Sequence, residues 1–245
     1  MWIGMKGTAL SKLEFERGDK VMGQIEKNTV SAKGQLQKSE FVSFINKEGT
    51  GKRILFVGNS ITRHGVLRSI GWNNDWGMAS SSIENDYVHI VVSELEKSFE
   101  DTAFCICQVA SWEREYKNGE DTLYLYEEAR NFNADIIIMR CIENCAQKDF
   151  DHEIFAKQYE RLIDFLNISG NADVILTTGF WKHMGDVCID RIANERGYKF
   201  AYLGELGEDD NMKAIGLFEH NGVANHPGDI GMKAIADKIL EKIDT

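Results

Sequence analysis

Two side chains in this sequence could together activate a nucleophile. Ser60 ends the stretch Arg53-Ile54-Leu55-Phe56-Val57-Gly58-Asn59-Ser60, and His226 lies in Asn225-His226-Pro227-Gly228-Asp229, which holds the only proline of the chain. A serine hydroxyl needs a base to take its proton, and a neutral imidazole is the usual one. The run Arg53 to Val57 is apolar and β-branched, long enough for a buried strand and too short for a helix. Gly58 and Asn59 break it, because both tolerate backbone angles that a strand does not use. Ser60 therefore falls at the carboxyl end of a strand, the edge at which ligands sit in open α/β sheets. By itself it reads first as a helix N-cap, a position serine favours, with a turn residue as another reading. A proline turn just ahead of a last helix is a good way to fix an imidazole in space. The other histidines fit less well: His89 and His152 fall in or at expected helices, while His64, His183 and His220 are loop residues open to substrate contact.

Taken together, the Gly-Asn-Ser turn after the first sheet strand and the His-Pro-Gly-Asp turn before the last helix resemble the SGNH (GDSL-like) hydrolases, over roughly residues 52 to 243. The resemblance implies an acyl-transfer site in which Ser60 attacks and His226 is base, then acid. It also implies three donors for the oxyanion: the serine amide, an amide after the second strand, and an asparagine side chain after the third. Asn144, in Arg140-Cys141-Ile142-Glu143-Asn144, stands where that asparagine belongs, with Ile142 in place of the usual glycine. No glycine follows the second strand, in Cys107-Gln108-Val109-Ala110-Ser111-Trp112, and the amide is assigned to Ala110, with Ser111 as the alternative. The family's aspartate three residues before the histidine is Val223 here. Three readings follow. A backbone carbonyl orients the ring and the site is a Ser-His dyad, which is preferred; another carboxylate does so, with Glu143, Glu219 and Asp229 nearest; or hydrolase activity is lost. Asp229 is better explained as an early acid on the last helix.

Arg140 and Glu143 flank Asn144 at the end of a buried strand, where unpaired charge is costly. They could pair with each other or face the pocket. Arg140 is a candidate to anchor a polar substrate or to fix the loop, and its replacement by alanine is expected to reduce turnover and leave folding largely intact. Trp72, Trp76, Trp112 and Trp181 fall on loops expected at the site edge, and Trp76, Trp112 and Trp181 are candidate substrate contacts; tryptophans also pack under long loops. Neither the loop Asn73-Asn74-Asp75 nor the cysteine spacings make a metal pattern, so neither metal nor organic cofactor is expected.

The bulk numbers bound the rest. A chain of 245 residues at 43% hydrophobic content can bury one sizeable core. A formal net charge of -11 without a Lys/Arg cluster argues against nucleic acid as a partner. No stretch approaches the roughly 18 to 20 apolar residues of a membrane span, and the first residues have no signal-peptide pattern, so the expected location is cytoplasmic. Five cysteines, expected as buried free thiols, suit a reducing compartment.

Positioning these residues requires alternating elements. Expected strands are Arg53 to Val57, Ala103 to Cys107, Asp135 to Met139, Asp173 to Thr177 and Lys199 to Leu203; expected helices are Tyr87 to Phe99, Thr122 to Phe132, Ile154 to Leu166, Asp186 to Arg196 and Ile230 to Ile243. Continuous apolar strands belong to a parallel sheet covered on both faces, which predicts a three-layer αβα sandwich. The resemblance implies a five-stranded, flavodoxin-like sheet. Residues 1–50, polar and punctuated by glycine, are expected as an N-terminal extension, possible as small β-structure, ahead of a hydrolase domain over 51–245. The expected function is a serine esterase for short acyl groups, by family analogy acetyl on a carbohydrate. The alternatives are an inactive carbohydrate-binding protein of the same fold, and a lipase or thioesterase. The substrate partner is a small molecule or carbohydrate ester, and the sequence gives no oligomeric state.

Overall fold

A computed structural model describes residues 41–244; the expectation for residues 1–40 lies outside them. Six strands form one sheet: β1 (Val42–Ile45), β2 (Arg53–Gly58), β3 (Ala103–Gln108), β4 (Ile136–Arg140), β5 (Asp173–Thr177) and β6 (Lys199–Ala201), in the order β1-β3-β2-β4-β5-β6. The five strands from β2 onward run parallel, in the flavodoxin-like order expected. The sixth is an addition. Val42–Ile45, read from sequence as part of the extension, pairs antiparallel with β3, Val42 opposite Cys107 and Ile45 opposite Phe104. With one face half open to solvent, its alternation looks like that of a separate small sheet.

Among the described residues seven α-helices connect and cover the strands: α1 (Tyr87–Ser98), α2 (Ala110–Arg114), α3 (Glu127–Asn131), α4 (His152–Leu166), α5 (Asp186–Arg196), α6 (Asn221–Ala224) and α7 (Asp229–Leu240). Side chains alternate across a strand with period two, and the sheet uses this to build two cores. Leu55, Val57, Cys105, Cys107, Ile137, Met139, Val174 and Leu176 face the side covered by α4 and α5. Ile54, Phe56, Phe104, Ile106, Ile136, Ile138 and Ile175 face the side covered by α1 and α7. The result is the three-layer sandwich. The first half of the expected helix over Thr122 to Phe132 belongs to a 3-10 run from Tyr116 to Tyr126, and the second half, Glu127–Asn131, is α-helical. All five cysteines are free and buried. Among the described residues no helix is long and apolar enough to cross a membrane.

The strand ends that matter are those of β2, β3 and β4. They lie side by side, with Gly58 in register with Gln108 on one side and Arg140 on the other. The chain turns sharply at Gly58, where a Cβ would fall 1.8 Å from Thr62 Oγ1, so only glycine fits.

Candidate active site

Past Gly58, the carbonyl of Asn59 accepts the amides of Thr62 and Arg63, each at 2.9 Å, and this tight turn carries Ser60. No helix begins there, so Ser60 is not an N-cap. Its hydroxyl lies 2.8 Å from His226 Nε2. His226 is held from its own backbone: its amide donates to Val223 O, its carbonyl accepts from Ala214, and Gly228 behind Pro227 donates to Met212 O.

The ring orientation comes from α6. A helix of one turn leaves carbonyls without amide partners, and one of these, Gly222 O, lies 2.6 Å from His226 Nδ1. A carbonyl can only accept, so Nδ1 carries the proton and Nε2 presents a lone pair to the Ser60 hydroxyl. That is the tautomer a general base requires. Burial pushes the imidazole down to about 4, against the Gly222 carbonyl and the Glu143 charge that pull it upward. The ring is therefore neutral at pH 7. Trp181 packs edge-on against it, with ring centroids 5.7 Å apart and planes at 87°, and Gly207 leaves room for that indole, since a Cβ there would come within 2.5 Å of it.

Among the described residues no carboxylate bonds to the imidazole. Glu143 receives Arg140, Asn59 and the amide of Phe180. Asp229 accepts from Ser81 and Asn85 at the start of α7. Val223 is fully buried among Trp72, Met78, Ala79 and Ala214. Val223→Asp would therefore place a carboxylate in an apolar cluster. It is expected to lower stability by about 2–3 kcal/mol with no gain in rate, read from urea unfolding and from kcat; a faster enzyme would refute the carbonyl-oriented arrangement.

Beneath the serine turn lies a buried polar cluster that the sequence reading only half anticipated. Asn59 Nδ2 donates to Glu113 Oε1 at 2.8 Å and to Glu143 Oε2 at 2.6 Å. Its Oδ1 accepts from Arg140 at 2.5 Å and from the Ile61 amide at 3.2 Å. Asn144 Nδ2 donates to Glu113 Oε2 at 2.5 Å. Arg140 also pairs with Glu143 and lies over the Tyr87 ring, 5.7 Å from its centroid. Asn59, Glu113 and Arg140 are fully buried. Burial and the neighbouring Glu143 charge push the Glu113 carboxyl up to about 7. Glu143 is pushed upward by burial too, but the Arg140 charge and the Phe180 and Asn59 hydrogen bonds outweigh this and hold it low.

Three candidate assignments change. The Ala110 amide donates to Gln108 Oε1 at 3.1 Å, so it is not free for an oxyanion; Ser111, next on the same short helix, is the remaining amide there. Trp112 is a core residue, fully buried and edge-on to Phe155 and Tyr159, because α2 turns it toward α4. Arg140 is buried and bonded on the protein side, which makes it a support and not a substrate anchor. Trp76 is half-buried, edge-on to Trp72, with Nε1 donating to Ser80 O. His183 accepts the Gly185 amide at Nδ1 and bonds through Nε2 to Cys145 O in the loop after β4, while His220 accepts the Val223 amide. Glu113 escaped the sequence reading because Trp-Glu-Arg-Glu looks like a solvated stretch.

The chain has the SGNH-like fold. No family model matches the sequence, and no curated protein does. Solved structures of similar fold include a psychrotrophic esterase, EstA, from Pseudoalteromonas sp., inhibited by monoethylphosphonate, at 11% identity and a TM-score of 0.51, covering 78% of this chain and 96% of that one. A family two carbohydrate esterase from Clostridium thermocellum, in complex with cellohexaose, is 13% identical with a TM-score of 0.52, covering 78% of this chain and 63% of that one. An active-site mutant of a family two carbohydrate esterase from Clostridium thermocellum is 14% identical with a TM-score of 0.55 over the same shares. At these identities the likeness is one of fold.

Proposed function

We propose that this protein is a serine esterase working through a Ser60-His226 dyad on short acyl esters, with an acetylated carbohydrate as the substrate class. The 2.8 Å contact between Ser60 Oγ and a His226 Nε2 held in the accepting tautomer carries this reading. Ser60 Oγ bonds to the ester carbonyl carbon as its proton passes to Nε2. The oxyanion is held by the Ser60 amide and by the second Nδ2–H of Asn144, both without an acceptor among the described hydrogen bonds. Nε2–H then protonates the departing alkoxide as the carbon–oxygen bond breaks, and water repeats the sequence to release the acid and free Ser60. Trp181 beside the dyad supports a sugar-bearing alcohol, since an indole face suits the apolar face of a pyranose. No metal or organic cofactor enters this chemistry. Five buried thiols support a reducing, cytoplasmic setting.

The test is hydrolysis of p-nitrophenyl acetate and a longer-chain ester by wild type and Ser60→Ala. Serine-dependent turnover with preference for acetate supports the reading, and preference for the long chain moves it toward a lipase or thioesterase. A wild type no faster than Ser60→Ala would refute it. The protein would then be read as an inactive, carbohydrate-binding relative, consistent with the Ala110 amide being occupied.

A further inference from the structure

We propose that Glu113 is a positioning residue of this esterase site, its carboxylate clamping the Asn59 and Asn144 amides so that Asn144 presents N–H to the oxyanion. The inference rests on the proposed function and concerns how the same site is controlled. One side chain from α2 reaches both halves of the site: Oε1 accepts from Asn59 in the turn that carries Ser60, and Oε2 accepts from Asn144 in the loop after β4.

The chemistry of the two amides gives the clamp its direction. A planar amide has a donor end and an acceptor end, and only the donor end can face a carboxylate. Asn144 uses one Nδ2 hydrogen on Glu113, so the other is left to donate elsewhere, and a flip of the amide is opposed by the charge. Asn59 is fully engaged. Both its hydrogens go to carboxylates, and its Oδ1 accepts from Arg140 and Ile61, the latter being the residue after Ser60. The clamp therefore ties the nucleophile turn and the oxyanion asparagine to one rigid point, in a buried setting where such bonds are strong.

The charges around Glu113 make the clamp sensitive to pH. From the end of β4 and the loop after it, Arg140 and Glu143 face it; Cys141, Cys145, Tyr126 and Tyr159 also lie within its electrostatic reach, and burial keeps these thiols and phenols neutral through the physiological range. Two carboxylates thus share one guanidinium. Glu143 takes the ion pair, and Glu113 is the one that gains a proton as pH falls. Protonated, its O–H meets an N–H donor, and one of the two asparagine bonds is lost. Activity should rise with pH through about 7 as Glu113 ionises, well above the range in which His226 titrates.

The experiment is the kcat/KM profile of the full chain from pH 5 to 9 on p-nitrophenyl acetate, for wild type, Ser60→Ala, Glu113→Gln and Glu113→Asp. Wild type is expected to show a rising inflection near pH 7. Glu113→Gln should lose about 10- to 100-fold in kcat with KM within about threefold, below the 10²–10³ of a deleted oxyanion donor, and its inflection should vanish. Glu113→Asp should keep the inflection at a reduced rate. A Ser60-dependent wild type without the inflection overturns the inference, and so does a Glu113→Gln enzyme that keeps the wild-type profile, as a merely structural role would. If Glu113→Gln does not fold, the wild-type and Glu113→Asp profiles decide. A wild type no faster than Ser60→Ala overturns the proposed function, and this inference with it.

Discussion

His226→Ala is expected to lower kcat on p-nitrophenyl acetate by about 10⁴- to 10⁶-fold, with KM changed little. Ser60→Ala should fall as far, and the double variant no further, because a nucleophile and its base act as one unit and their losses do not add. The size of the effect follows from the geometry. The His226 ring accepts from Ser60 Oγ at 2.8 Å and donates to Gly222 O at 2.6 Å, and among the described hydrogen bonds no other base meets the serine hydroxyl to take its proton. A carbonyl fixes the tautomer as well as a carboxylate would, but it carries no full charge to stabilise the imidazolium that forms. The rate is thus expected to survive the missing aspartate at a lower level. A His226→Ala enzyme within tenfold of wild type would show that another group is the base.

Arg140→Ala is expected to destabilise the protein by about 3–5 kcal/mol, the usual cost of breaking a buried ion pair by removing one partner. For a domain of this size that is a fall in Tm of roughly 6–20 °C. This corrects the expectation that the change would spare folding. The guanidinium is fully buried and bonds to Asn59 and Glu143; its loss leaves two carboxylates beneath Ser60 with no cation. Activity should fall as well, since Asn59 loses a partner that anchors the serine turn. Urea unfolding checks the first claim, and a change under 1 kcal/mol would refute it. Arg140→Ala with Glu143→Gln should recover part of the loss, because the second change removes one of the stranded charges.

Much of the fold was legible in the sequence. The strands from Arg53 to Gly58, Ala103 to Gln108 and Asp173 to Thr177 are apolar runs whose length and composition allow little else, and the helices Tyr87–Ser98, His152–Leu166 and Asp186–Arg196 carry their periodicity over several turns. Short elements carry no such signal. Val42–Ile45 has four residues and Ala110–Arg114 five, and neither declares which surface it will join. The 3-10 run Tyr116–Tyr126 was read as helix in its second half, since its apolar spacing matches both.

The layered architecture was legible in the sequence because it rests on local features, the strand-forming runs, and the pairing of Ser60 with His226 because a glycine turn at the carboxyl edge and a single proline in the histidine loop together carry the family resemblance. Tertiary structure decided what surrounds the pair. Gly222 supplies the orienting carbonyl because α6 is only one turn long and its last carbonyls need partners. Trp112 is core, and Arg140 and Glu113 are buried, because their partners come from distant segments: Asn59 meets Glu113 across 54 positions, Arg140 across 81 and Glu143 across 84. A charged residue read in sequence is assigned to solvent by default. Only the folded chain shows which charges were brought together closely enough to be buried at the base of the site.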